Sequence, residues 1–219
     1  MSSSKRPLLG LVVPCLNEAE ILRSSAQALK LKIKSLADRG MIDETSKIYF
    51  IDDGSTDETW GIISRLAESD ECFVGIKLTR NFGHQYAVYA GLLQAKGDAL
   101  ISIDADLQDD INAIDSMVDE YLQGSEIVYG VRADRHSDKK FKRWTASLHY
   151  WLTGVLGVRT IPNHADFRLL SRRAVSLLGQ YRETNLYLRG VVPLLGLSSS
   201  EVYYARSPRQ AGGSKDGIV

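Results

Sequence analysis

Residues 99–110 read ALISIDADLQDD, a short and mostly apolar run from Ala99 to Ile103 that stops on Asp104, Asp106, Asp109 and Asp110. An apolar stretch of this length with polar punctuation is the pattern of a strand buried on both faces. The same grammar recurs along the first half of the chain. Leu8 to Val13 is a near-continuous apolar run that we expect Pro14 to end, and Lys47 to Ile51 runs into Asp52, Asp53, Gly54 and Ser55. Phe73 to Leu78 and Glu126 to Val131 give two more strands. Helical patterns fill the gaps: Glu18 to Ala37, a helix capped by Ser55 or Thr56 and running to about Ala67, Tyr86 to Ala95 before Gly97, and Ile114 to Leu122 before Gly124. A cap there would work because the hydroxyl accepts from the unpaired first-turn amides. Five strand signals with helices between them predict an α/β fold, a doubly wound and mostly parallel sheet with flanking helices.

Composition narrows the function classes. The 219 residues carry 27 Lys+Arg against 27 Asp+Glu, a formal net charge of zero, so the surplus of cations that nonspecific nucleic-acid binding needs is missing. Two cysteines, Cys15 and Cys72, make no disulfide framework and point to a reducing compartment. No run approaches the roughly 18 apolar residues that span a bilayer, and the start of the chain lacks the pattern of a signal peptide, so the reading is a soluble cytoplasmic polypeptide. Beyond residue 131 the pattern changes. A charged stretch from Ala133 to Arg143 precedes an amphipathic aromatic helix carrying Trp144, Leu148 and Trp151, both tryptophans being read as packing groups. Arg172 to Leu178 reads as a helix and Glu201 to Tyr204 as a last extended piece before a glycine-rich tail. One domain over 1–219 is expected, with a ligand-binding part over about 8–132 and an elaboration over about 133–219.

In open α/β sheets ligands bind beyond the carboxyl ends of the strands. The acidic clusters after the first, second and fourth strands fall on that rim, and together they demand a compensating cation. Asp-x-Asp at a strand end suits a hard divalent ion, Mg²⁺ or Mn²⁺, which can also bind substrate phosphates. Other chemistries lack their parts: there is no Gly-x-Gly-x-x-Gly after the first strand, no P-loop, no Gly-x-Ser-x-Gly elbow and no zinc-spaced Cys/His group.

Seven stretches, VVPCLNE (12–18), IDDGSTD (51–57), RNFGHQ (80–85), GD (97–98), DADLQ (104–108), GVR (130–132) and DFRLL (166–170), occur in the order seen in family 2 glycosyltransferases. More narrowly, the chain resembles the polyprenyl-phosphate glycosyltransferases, the group of dolichyl-phosphate mannose synthase and the bacterial undecaprenyl-phosphate glucosyltransferases. The likeness runs from about Leu8 to Lys215. It implies a GT-A fold, a nucleotide-sugar donor, a divalent metal and inverting transfer of a hexose to a polyprenyl phosphate. Two departures stand out: Asp110, Ile111 and Asn112 replace the proline-rich turn of relatives, and Lys215 is followed by Asp216 rather than by a tyrosine and membrane helices. The expectation is therefore that the chain either is a piece of a longer protein or docks peripherally on the cytoplasmic face of a membrane without spanning it.

The resemblance places base and ribose on Pro14, Leu16, Glu18 and Asp53 and makes Asp166 the catalytic carboxylate. Metal ligands are expected from Asp106 and Gln108, with Asp104 nearer the ribose or the outer shell of the ion. Arg132 can grip the diphosphate with its planar fork, or else pair with the acidic rim. Arg143, Arg206, Arg209 and Lys215 supply cations for the acceptor phosphate. A phosphate monoester has a second pKa near 6, so Asp166 need not be an obligatory base. It can orient the nucleophile, accept a residual proton or hold Arg168. His84, before a helix, reads first as a structural hydrogen-bonding residue. UDP-glucose is the favoured donor. GDP-mannose, amino-sugar donors and a saccharide acceptor stay open, as do a nucleotidyltransferase and a non-catalytic binding module.

Overall fold

The computed structural model describes residues 6–133, 164–181 and 187–205. Seven strands form one sheet: β1 (Leu9–Cys15), β2 (Lys47–Asp52), β3 (Phe73–Lys77), β4 (Ala99–Ser102), β5 (Ile127–Arg132), β6 (His164–Ser171) and β7 (Ser199–Tyr204). Among the described residues six helices flank it: α1 (Leu22–Asp38), α2 (Thr59–Ser69), α3 (His84–Gln94), α4 (Ala113–Leu122), α5 (Arg172–Leu178) and α6 (Leu188–Leu194). The order across the sheet is β3-β2-β1-β4-β6-β5-β7, and every neighbouring pair is parallel except those made by β6.

Alternation along the strands feeds two cores. Leu9, Leu11, Val13, Phe50, Ile101 and Leu169 face one way, with the buried stripes of α1 (Leu22, Leu29, Ile33, Leu36) and α4 (Ile114, Met117, Val118). Val12, Tyr49, Ile51, Leu100, Tyr129 and Leu170 face the other, under α3, α5 and α6. Residues two apart share a face of a strand, so one near-continuous apolar run supplies both layers. Among the described residues no helix is long and apolar enough to cross a membrane.

Several sequence expectations are corrected. Pro14 lies inside β1, paired in register with Ile51, and Cys15 is the last residue of the strand. It is tolerated because β1 meets β4 only as far as Val12↔Ser102, so the N–H that proline lacks costs no ladder bond there. Neither Ser55 nor Thr56 caps α2. Asp57 Oδ1 accepts from the Thr59 N–H, while Ser55 Oγ accepts from the Asn17 N–H and the Thr56 N–H donates to Asn17 Oδ1. These residues tie the β1 and β2 loops together instead. The helix expected from Glu18 begins at Leu22, and β6 and α6 were not anticipated. The aromatic helix with Trp144 and Trp151 falls outside the described residues.

β6 decides the layout of the rim. Because it runs against its neighbours, its first residues lie where the parallel strands end. The pairing Ser102↔Arg168, continued two residues outward, brings Asp166 level with Asp104. A register shift between Tyr129 and Val131 interrupts the β5–β6 ladder at the same height.

Helix α3 reaches the sheet through Gly91, where an added Cβ would stand 2.5 Å from Val12 Cγ1 and 2.7 Å from Ile51 Cγ1. Gly91→Leu should therefore destabilise the fold by about 1–3 kcal/mol through overpacking. Denaturant unfolding would measure it, and an unchanged midpoint would mean that the α3–sheet contact is looser than described.

Candidate active site

Three loops at the carboxyl ends of β1, β2 and β3 interlock first. The Glu18 N–H donates to Thr59 Oγ1 at 2.8 Å and the Ala19 N–H to Asp57 Oδ2 at 3.3 Å. Asn17 adopts a positive φ of 54° inside this knot, a conformation that asparagine tolerates better than most side chains. Asp53 is buried, and its two oxygens accept from the Phe82 N–H at 2.8 Å and the Gly83 N–H at 2.9 Å. It therefore holds the 80–83 loop in place, a task that its position beside Asp52 did not reveal. Gly54 completes the seam: at φ 74° its Cα passes so close that a Cβ would meet Asn81 N at 2.5 Å. Pro14 is buried, while Leu16 and Glu18 are half-buried at the mouth of this seam.

The loop after β4 turns sharply. The Leu107 N–H reaches back to the Asp104 carbonyl, Leu107 takes φ 46°, and Asp106 Oδ1 accepts from the Gln108 N–H at 3.2 Å. Asp109 departs from this group. It is buried and pairs with Arg132, Nε and Nη2 both 3.2 Å from Oδ1, and accepts from the Tyr204 hydroxyl at 2.8 Å. The Arg132 guanidinium thus sits in the ion pair with the acidic rim, and the pair pins the 104–110 loop to the ends of β5 and β7. Asp110 turns the other way, accepting from the Asn112 N–H just before α4.

Asp166 is the most heavily engaged group of the rim. Oδ1 accepts from Arg168 Nη2 at 2.8 Å and Arg189 Nε at 3.2 Å, and Oδ2 from Gln85 Nε2 at 2.9 Å and Arg189 Nη2 at 3.2 Å. His84 Nε2 stands between two carboxylates, 3.4 Å from Asp166 Oδ2 and 3.6 Å from Asp104 Oδ1. Burial pushes the Asp166 carboxyl up, but the hydrogen bonds from His84 and Arg189 and the charges of Arg168 and Arg189 outweigh it and hold it far below the ordinary carboxylate range. Asp104 moves the other way. Burial raises it first, the nearby His84 offsets part of that, and the charges of Asp109, Asp106 and Asp166 raise it further. His84 is raised too, because its two carboxylates overcome the desolvation that would lower it.

The donor set after β4 fits a hard cation: oxygens at Asp104, Asp106 and Gln108, and an Asp104 carboxyl destabilised by three like charges that a divalent ion would relieve. Among the described residues no three of His, Cys, Asp and Glu converge to hold an ion on their own. Waters and a diphosphate would have to complete the shell, as is usual for Mg²⁺. Burial pushes the Cys15 thiol far above its ordinary value, and Cys72 is raised as well. Arg143, Arg206, Arg209 and Lys215 lie outside the described residues. Sequence reasoning missed Gln85 and Arg189 as partners of Asp166. The RNFGHQ stretch was a signal for the first, and nothing local marked the second.

Replacing Asp166 by Asn would leave the buried Arg168 without its counter-charge, and breaking such a pair costs about 3–5 kcal/mol. A carboxyl depressed on folding stabilises fully above its unfolded pKa of about 3.9 and loses that contribution as pH falls toward the folded value. Because Asp166 also raises His84, the stability gap between wild type and Asp166→Asn should widen as pH falls through the titration of that imidazole, hold to about pH 5 and narrow only below about 4. Chemical denaturation across that range checks it, and a gap that closes near neutrality would contradict the ion-pair assignment.

The sequence profile of Glycosyl transferase family 2 matches residues 11–192. An "uncharacterized glycosyltransferase YkoT" of Bacillus subtilis is 47% identical over 212 residues, covering 96% of this chain and 63% of that protein. The bactoprenol glucosyl transferase of Shigella phage SfV is 38% identical over 209 residues, covering 94% of this chain and 66% of its own length. The chain therefore spans just under two thirds of these relatives. Among solved structures, a mannosyltransferase of Pyrobaculum calidifontis in complex with GDP-Man and Mn²⁺ superposes with a TM-score of 0.63 at 18% identity, over 92% of this chain and 58% of that one. Glucosyl-3-phosphoglycerate synthase of Mycobacterium tuberculosis, with Mn²⁺, UDP and phosphoglyceric acid, gives a TM-score of 0.58 at 19% identity, over 94% and 72%. The sheet is that of the GT-A glycosyltransferases, and with the profile covering most of its length this chain belongs to glycosyl transferase family 2.

Proposed function

We propose that the chain transfers a hexose, glucose first, with inversion from UDP-glucose to a polyprenyl phosphate. The observation that carries the reading is the meeting of two opposite corners at His84: the carboxylate loop Asp104–Gln108 on one side and the doubly guanidinium-bound Asp166 on the other. A diphosphate with its counter-ion belongs at the first and an incoming anion at the second. The 38% identical bactoprenol glucosyl transferases support glucose as the sugar and an undecaprenyl-type acceptor.

In this reading the base and ribose lie against Pro14, Leu16 and Glu18, with Asp53 fixing the loop beside them. Mg²⁺ or Mn²⁺ would be held by Asp106 and Gln108 with Asp104, and would neutralise the departing diphosphate. Arg132 keeps N–H groups beyond those given to Asp109 and can direct them at the same diphosphate. An oxygen of the acceptor phosphate bonds to the anomeric carbon from the face opposite UDP. The carbon–oxygen bond to UDP breaks and its electron pair leaves with UDP. A phosphate already dianionic brings no proton to remove, so Asp166, with both oxygens engaged, is not asked for basicity. It holds Arg168 and Arg189 in place as the positive corner that faces the nucleophile. Arg143, Arg206, Arg209 and Lys215 belong to the same acceptor side, and a peripheral, salt-sensitive seat on the cytoplasmic face of an anionic membrane completes the picture.

The direct test is a panel of labelled nucleotide sugars with undecaprenyl or farnesyl phosphate, with and without EDTA. Lipid-linked glucose from UDP-glucose is expected, abolished by EDTA and by Asp106→Ala without loss of fold. Full transfer in excess chelator would remove the metal, and transfer only from GDP-mannose would replace the donor. Vesicle flotation checks the membrane seat: binding to anionic vesicles at low salt and release at high salt are expected, and no binding at low salt contradicts it.

A further inference from the structure

We infer that Arg189 is the anchor for the phosphate of an acceptor that carries a hydrocarbon chain, an inference that rests on the function proposed above. The first argument is charge. The corner around Asp166 holds one carboxylate against two guanidiniums, Arg168 and Arg189. That surplus of one positive charge stands beside a rim that carries Asp104 and Asp106, Asp109 being paired with Arg132. Arg168 cannot present it, being 2% exposed, bound to Asp166 and donating to the Leu188 carbonyl at 3.4 Å. The Arg189 side chain is 40% exposed. A guanidinium has five N–H groups, of which Arg189 spends two on Asp166 through Nε and Nη2, its one hydrogen-bonding partner among the described residues. The remaining face of the fork is directed away from Asp166, and such a fork matches phosphate oxygens.

The second argument is preorganisation. Leu188, the residue before Arg189, is held at both backbone groups: its N–H donates to Gln85 Oε1 at 3.3 Å and its carbonyl accepts from Arg168. Gln85 is oriented without ambiguity. An N–H can only donate and an ionised carboxylate can only accept, so the carbonyl oxygen must face Leu188 and the amide nitrogen Asp166. Gln85 thus acts as a positioning residue for Arg189, joining α3, β6 and α6. At the two ends of the same short helix, Tyr187 and Leu194 are 61% and 60% exposed, apolar surface on the element that carries the cation and suited to an anion with a lipid tail.

The test is calorimetric titration of the whole chain, with the donor site saturated by UDP and Mg²⁺, using farnesyl phosphate, inorganic phosphate and farnesol. For the wild type farnesyl phosphate should bind tightest. Arg189→Gln should weaken farnesyl phosphate at least tenfold and weaken inorganic phosphate as well, while leaving farnesol and UDP unchanged. Arg189→Lys, which keeps the charge without the fork, should fall between. Melting midpoints within a few degrees of wild type show that Asp166 remains satisfied by Arg168, Gln85 and His84. Equal losses for farnesol, unchanged binding of farnesyl phosphate, or a matching loss of UDP would each overturn the assignment. Inorganic phosphate binding as tightly as farnesyl phosphate would assign the anchor to free phosphate and overturn the lipid. The two readings fail separately. A wild type that binds farnesyl phosphate through Arg189 yet makes no glycosyl lipid refutes the proposed function alone. Transfer with an unchanged KM for lipid phosphate in Arg189→Gln refutes the anchor alone.

Discussion

One largely enclosed carboxylate ties together the rim where β6 meets the parallel strands. Asp166 is gripped by Arg168, Arg189, Gln85 and His84, which come from β6, α6 and α3, and the Ser102 hydroxyl of β4 donates to its backbone carbonyl. A single ionised group facing two guanidiniums in a partly desolvated place has no reason to take a proton, and its pKa falls accordingly. The cost of such a grip is basicity, so the proposed function does not call on Asp166 as a base. A phosphate acceptor, already ionised near neutrality, is the class of nucleophile that permits this.

The acidic rim divides by task. Asp53 and Asp109 look interchangeable with Asp104 and Asp106 along the chain, yet both are buried and spend their oxygens on holding loops. Asp53 takes two backbone amides, and Asp109 takes Arg132 and Tyr204. Burying a carboxylate is costly unless its lone pairs are filled, and here they are. Asp104 lacks such relief: its neighbours are carboxylates, His84 apart, and its pKa rises. Asp53 and Asp109 thus serve to hold loops, and Asp104 is left with the oxygens that the proposed cation would use.

Strands β1, β2 and β4 and helices α1 and α4 were legible because each buries a continuous run or a single stripe, so periodicity reports them directly. The Asp-x-Asp loop was legible for the same reason, being the abrupt end of β4. β6 hid because Asp166 and Arg168 break its apolar pattern: a buried ion pair reads as surface in a one-dimensional scan. α6 hid because it spans seven residues and contains Gly190 and Pro193. The ties that assemble the site join residues distant in the chain, Gln85 with Asp166 across 81 positions and Asp109 with Tyr204 across 95. Local spacing carries no information about such partners. Resemblance brought Asp166 to attention, but only the geometry shows it saturated.

The measurement that bears most directly on this account is the pH dependence of kcat/KM with two acceptors of different acidity, farnesyl phosphate and its less acidic methylene phosphonate. If the nucleophile is the acceptor's own dianion and Asp166 supplies no base, the rate should rise through the second ionisation of each acceptor, near pH 6 for the phosphate, and the profile should shift upward for the phosphonate. A profile identical for both acceptors would mean that a group of the protein takes the proton, and would contradict the account.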